Sequence, residues 1–300
     1  MANPTITGSS YAGEFAGKYL AAALLSADTL DKGTISILPN VKYKAAMKVG
    51  SFANLVRSAD CDFDSSTSTM TLTEKVLTPT ELQVNLQICK KELHADWEAA
   101  QMGFSAFDEL PPLFSDFVIA QVAAQVAQST EQSIWNGSAG EGSFDGFSTL
   151  LAADGTVVDV TGSAITASNV IDELKAVVDA IPNAVYGKED LNIYIPTNVA
   201  KAYIAAQAAL GYRDLYNVGQ TEMNFQGVNL VTAQGLADDT IVAGQKSNLF
   251  FGTGLLDDRN EVKVIDMADL DGSQNVRVVM RYTAGVQYGV GSDIVYRVNA

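Results

Sequence analysis

Residue types that could support catalysis are few in this chain, and they do not form a known catalytic motif. His94 is the single histidine and lies in a charged stretch, Lys90-Lys91-Glu92-Leu93-His94. A Ser-His-Asp or Cys-His site would have to use it, and a zinc site built on several histidines is excluded. The sequence has no GxSxG elbow and no P-loop, and Gly252-Thr253-Gly254 lacks the third glycine of a dinucleotide fingerprint. We predict that His94 is a surface residue and that the chain has no catalytic, cofactor or metal site.

Carboxylates are abundant, but their spacing does not define a site. The chain has 35 acidic residues, so some pair could always perform acid–base chemistry, and nothing in the sequence selects one. Asp266, Asp269 and Asp271-Gly272 resemble a calcium loop but miss its spacing and its closing glutamate. We therefore expect no calcium ion there.

Charge is arranged in blocks along the chain. Residues 32–59 contain five basic residues and no acid, whereas residues 257–271 contain six acids against two basic residues. Two solvated faces would explain this, but complementary blocks could also fix the register between copies of the chain. The subunit-interface candidates are Lys42, Lys44, Lys48, Arg57, Asp257, Asp258, Asp269 and Asp271.

Composition indicates a large folded protein without a nucleic-acid footprint. The chain has 300 residues, is 47% apolar and carries a formal charge of −16. Such a length can bury about three quarters of its unfolded surface. The acidity argues against a basic surface for nucleic acid, and it suits either solubility or a wall that does not adhere to an enclosed polyanion. Cys61 and Cys89 are expected to be reduced thiols, and no apolar run reaches the roughly 20 residues of a membrane span.

Two alternating stretches suggest a long arm near the start of the chain. Apolar and polar residues alternate over residues 41–49 and again over 82–88, and this period of two predicts strands with one buried face. A small polar stretch, residues 65–69, and Pro79 lie between them. We predict a hairpin-like arm that packs on other copies of the chain.

The remaining sequence predicts an α+β fold. A short amphipathic helix is predicted over residues 11–25, and one long helix over 112–136, with a proline in its first turn. A second helix follows Ser168, a buried strand covers residues 191–195, and Thr197 is expected to cap a third helix. The chain ends in one long alternation from Val276 to Val290, with glycines on its second face that permit close backbone approach.

The order of these parts resembles the major capsid protein of tailed bacteriophages, the Hong Kong-phage capsid fold that encapsulins share. The sequence from Val276 to Gln287 resembles the closing strand of that family. Ser168-Asn169-Val170-Ile171-Asp172-Glu173-Leu174 and Ile195-Pro196-Thr197-Asn198 resemble the helix starts of its axial domain. The resemblance implies an N-terminal arm (1–34), an extended hairpin loop (35–85), a peripheral domain (86–137 and 258–288) with a spine helix (112–136), and an axial domain (138–257 and 289–300).

The same resemblance implies a structural role. Family members tile icosahedral shells around double-stranded DNA as hexamers and pentamers, so the expected location is the virion, assembled in the cytoplasm of a bacterial host. Expected partners are copies of the chain itself, a portal and, because the sequence begins almost at the arm, a separate scaffolding protein. Sequence-specific DNA binding and membrane binding are not expected. Some members crosslink a hairpin lysine to an asparagine, but no residue here identifies that asparagine.

Two other classes of function stay open at this point. One is an encapsulin-type nanocompartment shell of the same fold, which would need a cargo-binding groove near the N-terminal helix. The other is a soluble hydrolase with an unrecognised carboxylate site, or an adhesin-like domain. Uniform shells would favour the first two classes, packaged DNA would separate them, and a stable monomer would favour the third.

Overall fold

The computed structural model describes residues 28–56, 58, 61, 68–90, 112–140, 142–211, 223–254 and 263–299, with the backbone alone at residues 112–118 and 269. The chain divides into two compact units. Unit one comprises residues 1–27, 81–130 and 255–283, and unit two comprises 28–80, 131–254 and 284–300. The predicted helix over residues 11–25 and His94 lie outside the described residues.

Unit one is built on the first half of a long strand. Strand β12 (Asn275–Tyr288) pairs with β4 (Thr80–Cys89) and, antiparallel, with β11 (Lys263–Asp266), where Lys263 lies opposite Val279. The four-residue helix α6 (Ala268–Asp271) connects β11 to β12. The buried ammonium of Lys90, which follows β4, forms an ion pair with Asp266.

Unit two contains a six-stranded sheet in the order β5-β13-β9-β6-β8-β7. The strands are β5 (Val158–Gly162), β6 (Leu191–Ile195), β7 (Met223–Phe225), β8 (Val228–Thr232), β9 (Ile241–Gln245) and β13 (Val295–Asn299). The main hydrophobic core consists of side chains from this sheet and from two helices, α4 (Val170–Ala180) and α5 (Thr197–Ala209). Burying the apolar stripe of α4 against the sheet is what stabilises a helix of this length, because short helices are marginal in water.

A buried ion pair joins strand β13 of this sheet to helix α4. Arg297 on β13 is fully buried, and its guanidinium donates to Glu173 Oε2 of α4 at 2.8 Å. The same guanidinium also donates to the carbonyl oxygens of Ser163 and Asp239. Desolvation alone would raise the pKa of Glu173, but the hydrogen bonds from Ser163 and Arg297 together hold it below its usual value. Removing either partner would leave a buried charge unpaired.

The second half of β12 continues into unit two. It pairs antiparallel with β10 (Leu249–Thr253), with Gly252 opposite Gly285, and β10 pairs in parallel with β1 (Ser36–Leu38). A side chain at Gly285 would place its Cβ 3.1 Å from the backbone at Thr78 and Pro79. The expectation of close backbone approach at the late glycines is confirmed at this residue.

Helix α2 (Pro112–Asn136) covers the predicted residues as one continuous helix. Its last turns are anchored in unit two, where the Trp135 indole lies 4.9 Å from the ring of Tyr194 and 5.4 Å from that of Phe147. Phe147 begins the short helix α3 (Phe147–Ala152), and Trp135 Nε1 donates to Thr29 Oγ1, in α1 (Asp28–Asp31), at 2.7 Å. The predicted second helix and the buried strand at 191–195 are also confirmed.

Two local predictions are wrong. Thr197 is the first residue of α5 and makes no capping bond, because Pro196, in extended conformation, precedes the helix. The hairpin is not formed by the two alternating stretches at 41–49 and 82–88. It is formed by β2 (Ala45–Ala53) and β3 (Thr69–Leu77), and the second stretch, in β4, pairs with β12. Strand β2 also starts later than predicted, at Ala45, because residues 41–44 form no strand and Lys42 and Tyr43 form a bend.

Candidate functional site

The hairpin of β2 and β3 is a two-stranded antiparallel sheet of nine residue pairs, from Ala45 opposite Leu77 to Ala53 opposite Thr69. Two-stranded ribbons are marginally stable alone in water, so this one needs support from elsewhere. Because directly opposed residues share a face, the register assigns every side chain of the ribbon to one of two faces.

One face of the hairpin is apolar and exposed, and we call it the hairpin apolar face. It consists of Phe52, Met70, Leu72 and Val76, whose side chains are 57%, 59%, 64% and 38% exposed. Leu72 lies opposite Gly50, and the side chains of Leu72 and Phe52 both lie within 4 Å of where a Cβ on Gly50 would be. Phe52 lies opposite Met70, so three large side chains cluster towards the open end of the ribbon. Exposed apolar clusters of this kind mark interaction surfaces.

The other face of the hairpin points into unit two near its base. Leu77 is fully buried, and its side chain occupies the space above Gly252 where another residue would have a Cβ. Lys75, two residues earlier, reaches Asp154. The base of the ribbon is therefore part of unit two, while the apolar face beyond it remains open to solvent.

The lysines predicted to lie at a subunit interface are exposed, but they do not share one strand face. Lys42 lies in the bend before β2, and Lys44 directly precedes that strand, with its ammonium 5.3 Å from the centre of the Tyr43 ring. Only Lys48 lies on β2, directly opposite Glu74 and between the apolar residues of the hairpin apolar face. Arg57 lies outside the described residues.

The predicted acidic partners are not brought together as a patch. Asp257 and Asp258 lie outside the described residues, and of Asp269 only the backbone, in α6, is described. Asp271 ends α6, and hydrogen bonding by Ser273, whose amide donates to Asp271 Oδ1 at 2.9 Å, lowers the pKa of the Asp271 carboxyl. Among the described residues, no group of three or more His, Cys, Asp or Glu side chains is placed to hold a metal ion.

The hairpin apolar face itself was missed from the sequence. The signal was present, because Met70, Leu72 and Val76 alternate with Thr69, Thr71, Thr73 and Lys75. The alternation at 82–88 is less interrupted, because its apolar face has no charged residue, and it therefore predicts the returning strand of the arm more strongly than 69–77 does. Within the described part of the chain, no helix is both long and apolar enough to span a membrane.

Comparison with known proteins identifies the fold through structure alone. Neither a protein-family model nor a curated protein sequence matches the chain. Among solved structures, the capsid of a native GTA particle matches with a TM-score of 0.65 at 16% identity, over 100% of this chain and 96% of that one. A chain of Gordonia phage Cozz matches with a TM-score of 0.61 at 12% identity, over 94% and 89%. The capsid of Myoviridae phage XM1 matches with a TM-score of 0.60 at 13% identity, over 95% of each. The chain therefore has the mixed α and β fold of bacteriophage capsid proteins, as its order of parts predicted.

Proposed function

We propose that this chain is a major capsid protein that assembles with copies of itself, as hexamers and pentamers, into an icosahedral shell around double-stranded DNA. The observation that carries this proposal is the hairpin apolar face, where Phe52, Met70 and Leu72 are exposed on a ribbon that, among its described residues, is anchored at its base. Burying each of them would contribute about 1.5–3 kcal/mol. A second copy of the chain is the natural occupant, because capsid folds cover nearly the whole of this sequence.

The rest of the proposal follows from the capsid fold and the charge. The chain acts as a structural protein without catalysis of its own, in the virion, after assembly in the host bacterial cytoplasm. A portal and a separate scaffolding protein are its further partners. The net charge of −16 gives a wall that repels the enclosed DNA and does not bind it by sequence. We assign the spine-helix role to α2 and the axial and peripheral roles to the residue ranges predicted above.

The test is assembly of the purified protein with and without a charge in the hairpin apolar face. Leu72→Glu should leave the subunit folded and prevent shells, because a carboxylate would be buried in the contact between copies. Thr71→Glu is the matched control, since Thr71 is the exposed neighbour on the opposite face of the same strand. Negative-stain imaging and sedimentation measure the result.

Three outcomes would contradict parts of the proposal. A wild-type protein that stays monomeric at high concentration, with the scaffold supplied, would overturn the shell role. Normal shells from Leu72→Glu would remove the hairpin apolar face from the contact. Shells produced during infection that contain no DNA would favour a nanocompartment.

Complementary charges should also fix the register of the contact between two copies of the chain. Lys42 and Lys44 are exposed at the base of the hairpin, and we propose that they face the acidic stretch at 257–271 of a neighbouring copy. Reversing Lys42, Lys44 and Lys48 to Glu should block assembly while leaving the subunit folded. High salt should weaken wild-type association, because the Debye length falls from about 10 Å at 0.1 M to about 3 Å at 1 M. Normal assembly of the triple variant would show that the lysines form only a solvated face.

A further inference from the structure

Three side chains from distant parts of unit two meet at the base of the hairpin. Lys75 Nζ of β3 lies 2.6 Å from Asp154 Oδ2, in the turn after α3. Tyr288, the last residue of β12, donates its hydroxyl to the same carboxylate oxygen at 2.7 Å. The Lys75 ammonium also lies 4.6 Å from the centre of the Tyr288 ring, within the range of a cation–π interaction. Lys75 and Tyr288 are 213 residues apart in sequence.

The Asp154 carboxylate is held in place by hydrogen bonds from Thr156, two residues later in the same turn. Asp154 Oδ1 accepts hydrogen bonds from the Thr156 amide at 3.0 Å and the Thr156 hydroxyl at 2.8 Å, which leaves Oδ2 for Lys75 and Tyr288. With Lys75 as the largest cause, these donors hold the pKa of Asp154 far below its usual range. Tyr288 is 1% exposed, so the aromatic ring under the ammonium is also held rigidly.

Two further contacts place the backbone of β3 next to this cluster. Gln287 Nε2 donates to the carbonyl of Val76 at 3.2 Å, and Leu77 packs over Gly252. From Lys75 towards the open end of the ribbon, the described hydrogen bonds join β2 to β3. Next to the ends of these strands, Ser68 Oγ donates to the Asn54 carbonyl at 3.2 Å. The direction in which the hairpin projects is therefore set at its base, on β3 by residues 75–77 and on the other leg by the amides of Asn40 and Val41, which donate to the carbonyls of Gly254 and Thr253.

We propose that Lys75, Asp154 and Tyr288 form a latch that fixes the exit direction of the hairpin, so that the hairpin apolar face reaches a neighbouring copy already oriented. This inference rests on the proposed shell function. Orienting a ribbon before contact lowers the conformational entropy that association would otherwise lose. Lys75 and Asp154 are positioning residues in this scheme and do not themselves touch the neighbour.

The test measures hydrogen exchange on subunits kept unassembled, so its result does not depend on whether shells form. Lys75→Met keeps the length of the side chain and removes its charge, and Asp154→Asn keeps the shape and removes the anion. Both variants should raise amide exchange in residues 69–77 by roughly fivefold to tenfold, as expected when one ionic contact holding a local segment is lost. Exchange in the core strand at 191–195 should not change.

The matched control is Lys48→Met, which removes an exposed lysine from the same ribbon on its other face. It should leave exchange in residues 69–77 at the wild-type rate. A second measurement, the rate of shell formation by folded subunits, should fall in Lys75→Met and Asp154→Asn.

Three results would overturn the latch, and a fourth would overturn only the shell function. Unchanged exchange in both variants would show that Lys75 and Asp154 do not hold the hairpin. Equally faster exchange at 69–77 and 191–195 would show a general loss of stability. Faster exchange at 69–77 with a normal assembly rate would show that orientation does not matter for docking, and the shell function would stand. Failure of wild-type protein to form shells would remove the shell function without affecting the exchange result.

Discussion

Strands β3 and β12 both alternate apolar and polar residues, interrupted on β3 by Glu74, but the apolar face of β12 is buried and that of β3 is exposed. On β12, the apolar face is buried along its whole length, with Val278 only 1% exposed. On β3, the apolar face is open to solvent, and Leu72 is 64% exposed. An alternating pattern therefore predicts that a strand has an apolar face and a polar face, but it does not predict whether the apolar face is buried within the same chain. Where the apolar face is exposed in the subunit, as on β3, we expect another molecule to cover it.

The largest expected difference between the two strands is the response to a buried charge. Val278→Asp should lower the free energy of unfolding by about 3–5 kcal/mol, since the carboxylate would have no partner in the interior. Leu72→Asp should change it by no more than about 0.5 kcal/mol, because water already surrounds the site. Denaturant unfolding of the unassembled subunit measures both. Similar losses in the two variants would show that the hairpin apolar face is covered within the subunit.

The same comparison can be made within β3 itself. Leu77→Ala should cost about 2–5 kcal/mol, because Leu77 is fully buried at the base of the hairpin and its removal leaves a cavity. Leu72→Ala, five residues earlier in the same strand, should cost no more than about 0.5 kcal/mol. Thermal or denaturant unfolding separates the two. If truncation at Leu72 were the more costly, the division of the ribbon into an anchored base and an open end would be wrong.

Two glycines, Gly285 on β12 and Gly50 on the other hairpin strand, β2, give a smaller contrast. Gly285→Ala should cost about 1–3 kcal/mol, since its Cβ would lie 3.1 Å from Pro79 Cα and the backbone would have to move. Gly50→Ala should be neutral or stabilise the subunit by about 0.4–1 kcal/mol, because its Cβ would meet Leu72 at an ordinary 3.5 Å and the unfolded chain would lose freedom. Unfolding midpoints compare them, and a larger cost at Gly50 would contradict the ribbon geometry.

The smallest expected effect is the pH dependence of the hairpin base. The pKa of Asp154 in the fold is far below its usual 3.8, chiefly because of Lys75, so between these two values the unfolded chain binds more protons. The contribution of Asp154 to stability is therefore fully present above pH 3.8 and is lost progressively as the pH falls below it.

Comparing wild type with Asp154→Asn isolates this effect. The stability difference between the two proteins should shrink as the pH is lowered from 5 to about 2. Burial raises the pKa of Glu131, so its contribution changes with the opposite sign, falling as the pH rises, but it is present in both proteins and cancels. A difference that is constant across this range would show that Asp154 does not act through its charge.

The sequence predicted much of the secondary structure because local periodicity carries that information. The uninterrupted stretch from Pro112 to Asn136 gave the bounds of the long helix, and the final alternation gave the buried face of β12. The sequence pattern did not predict which stretch pairs with β2, because residues 69–77 and residues 82–88 both alternate. The pairing depends on long-range contacts: residues 82–88 pair with β12, and residues 69–77 pair with β2.

The sequence by itself determined that this protein has long two-faced strands, one long helix, and no spacing of histidines, cysteines or glycines that forms a known catalytic motif. These features depend on periods of two and 3.6 residues, or on residue identity, and a local reading is enough. Only the tertiary structure decided which apolar face stays open and which side chains meet at the base of the hairpin. Lys75 and Asp154 are 79 residues apart, and Arg297 and Glu173 are 124 apart. Such pairs are set by the packing of whole elements, which no local pattern specifies.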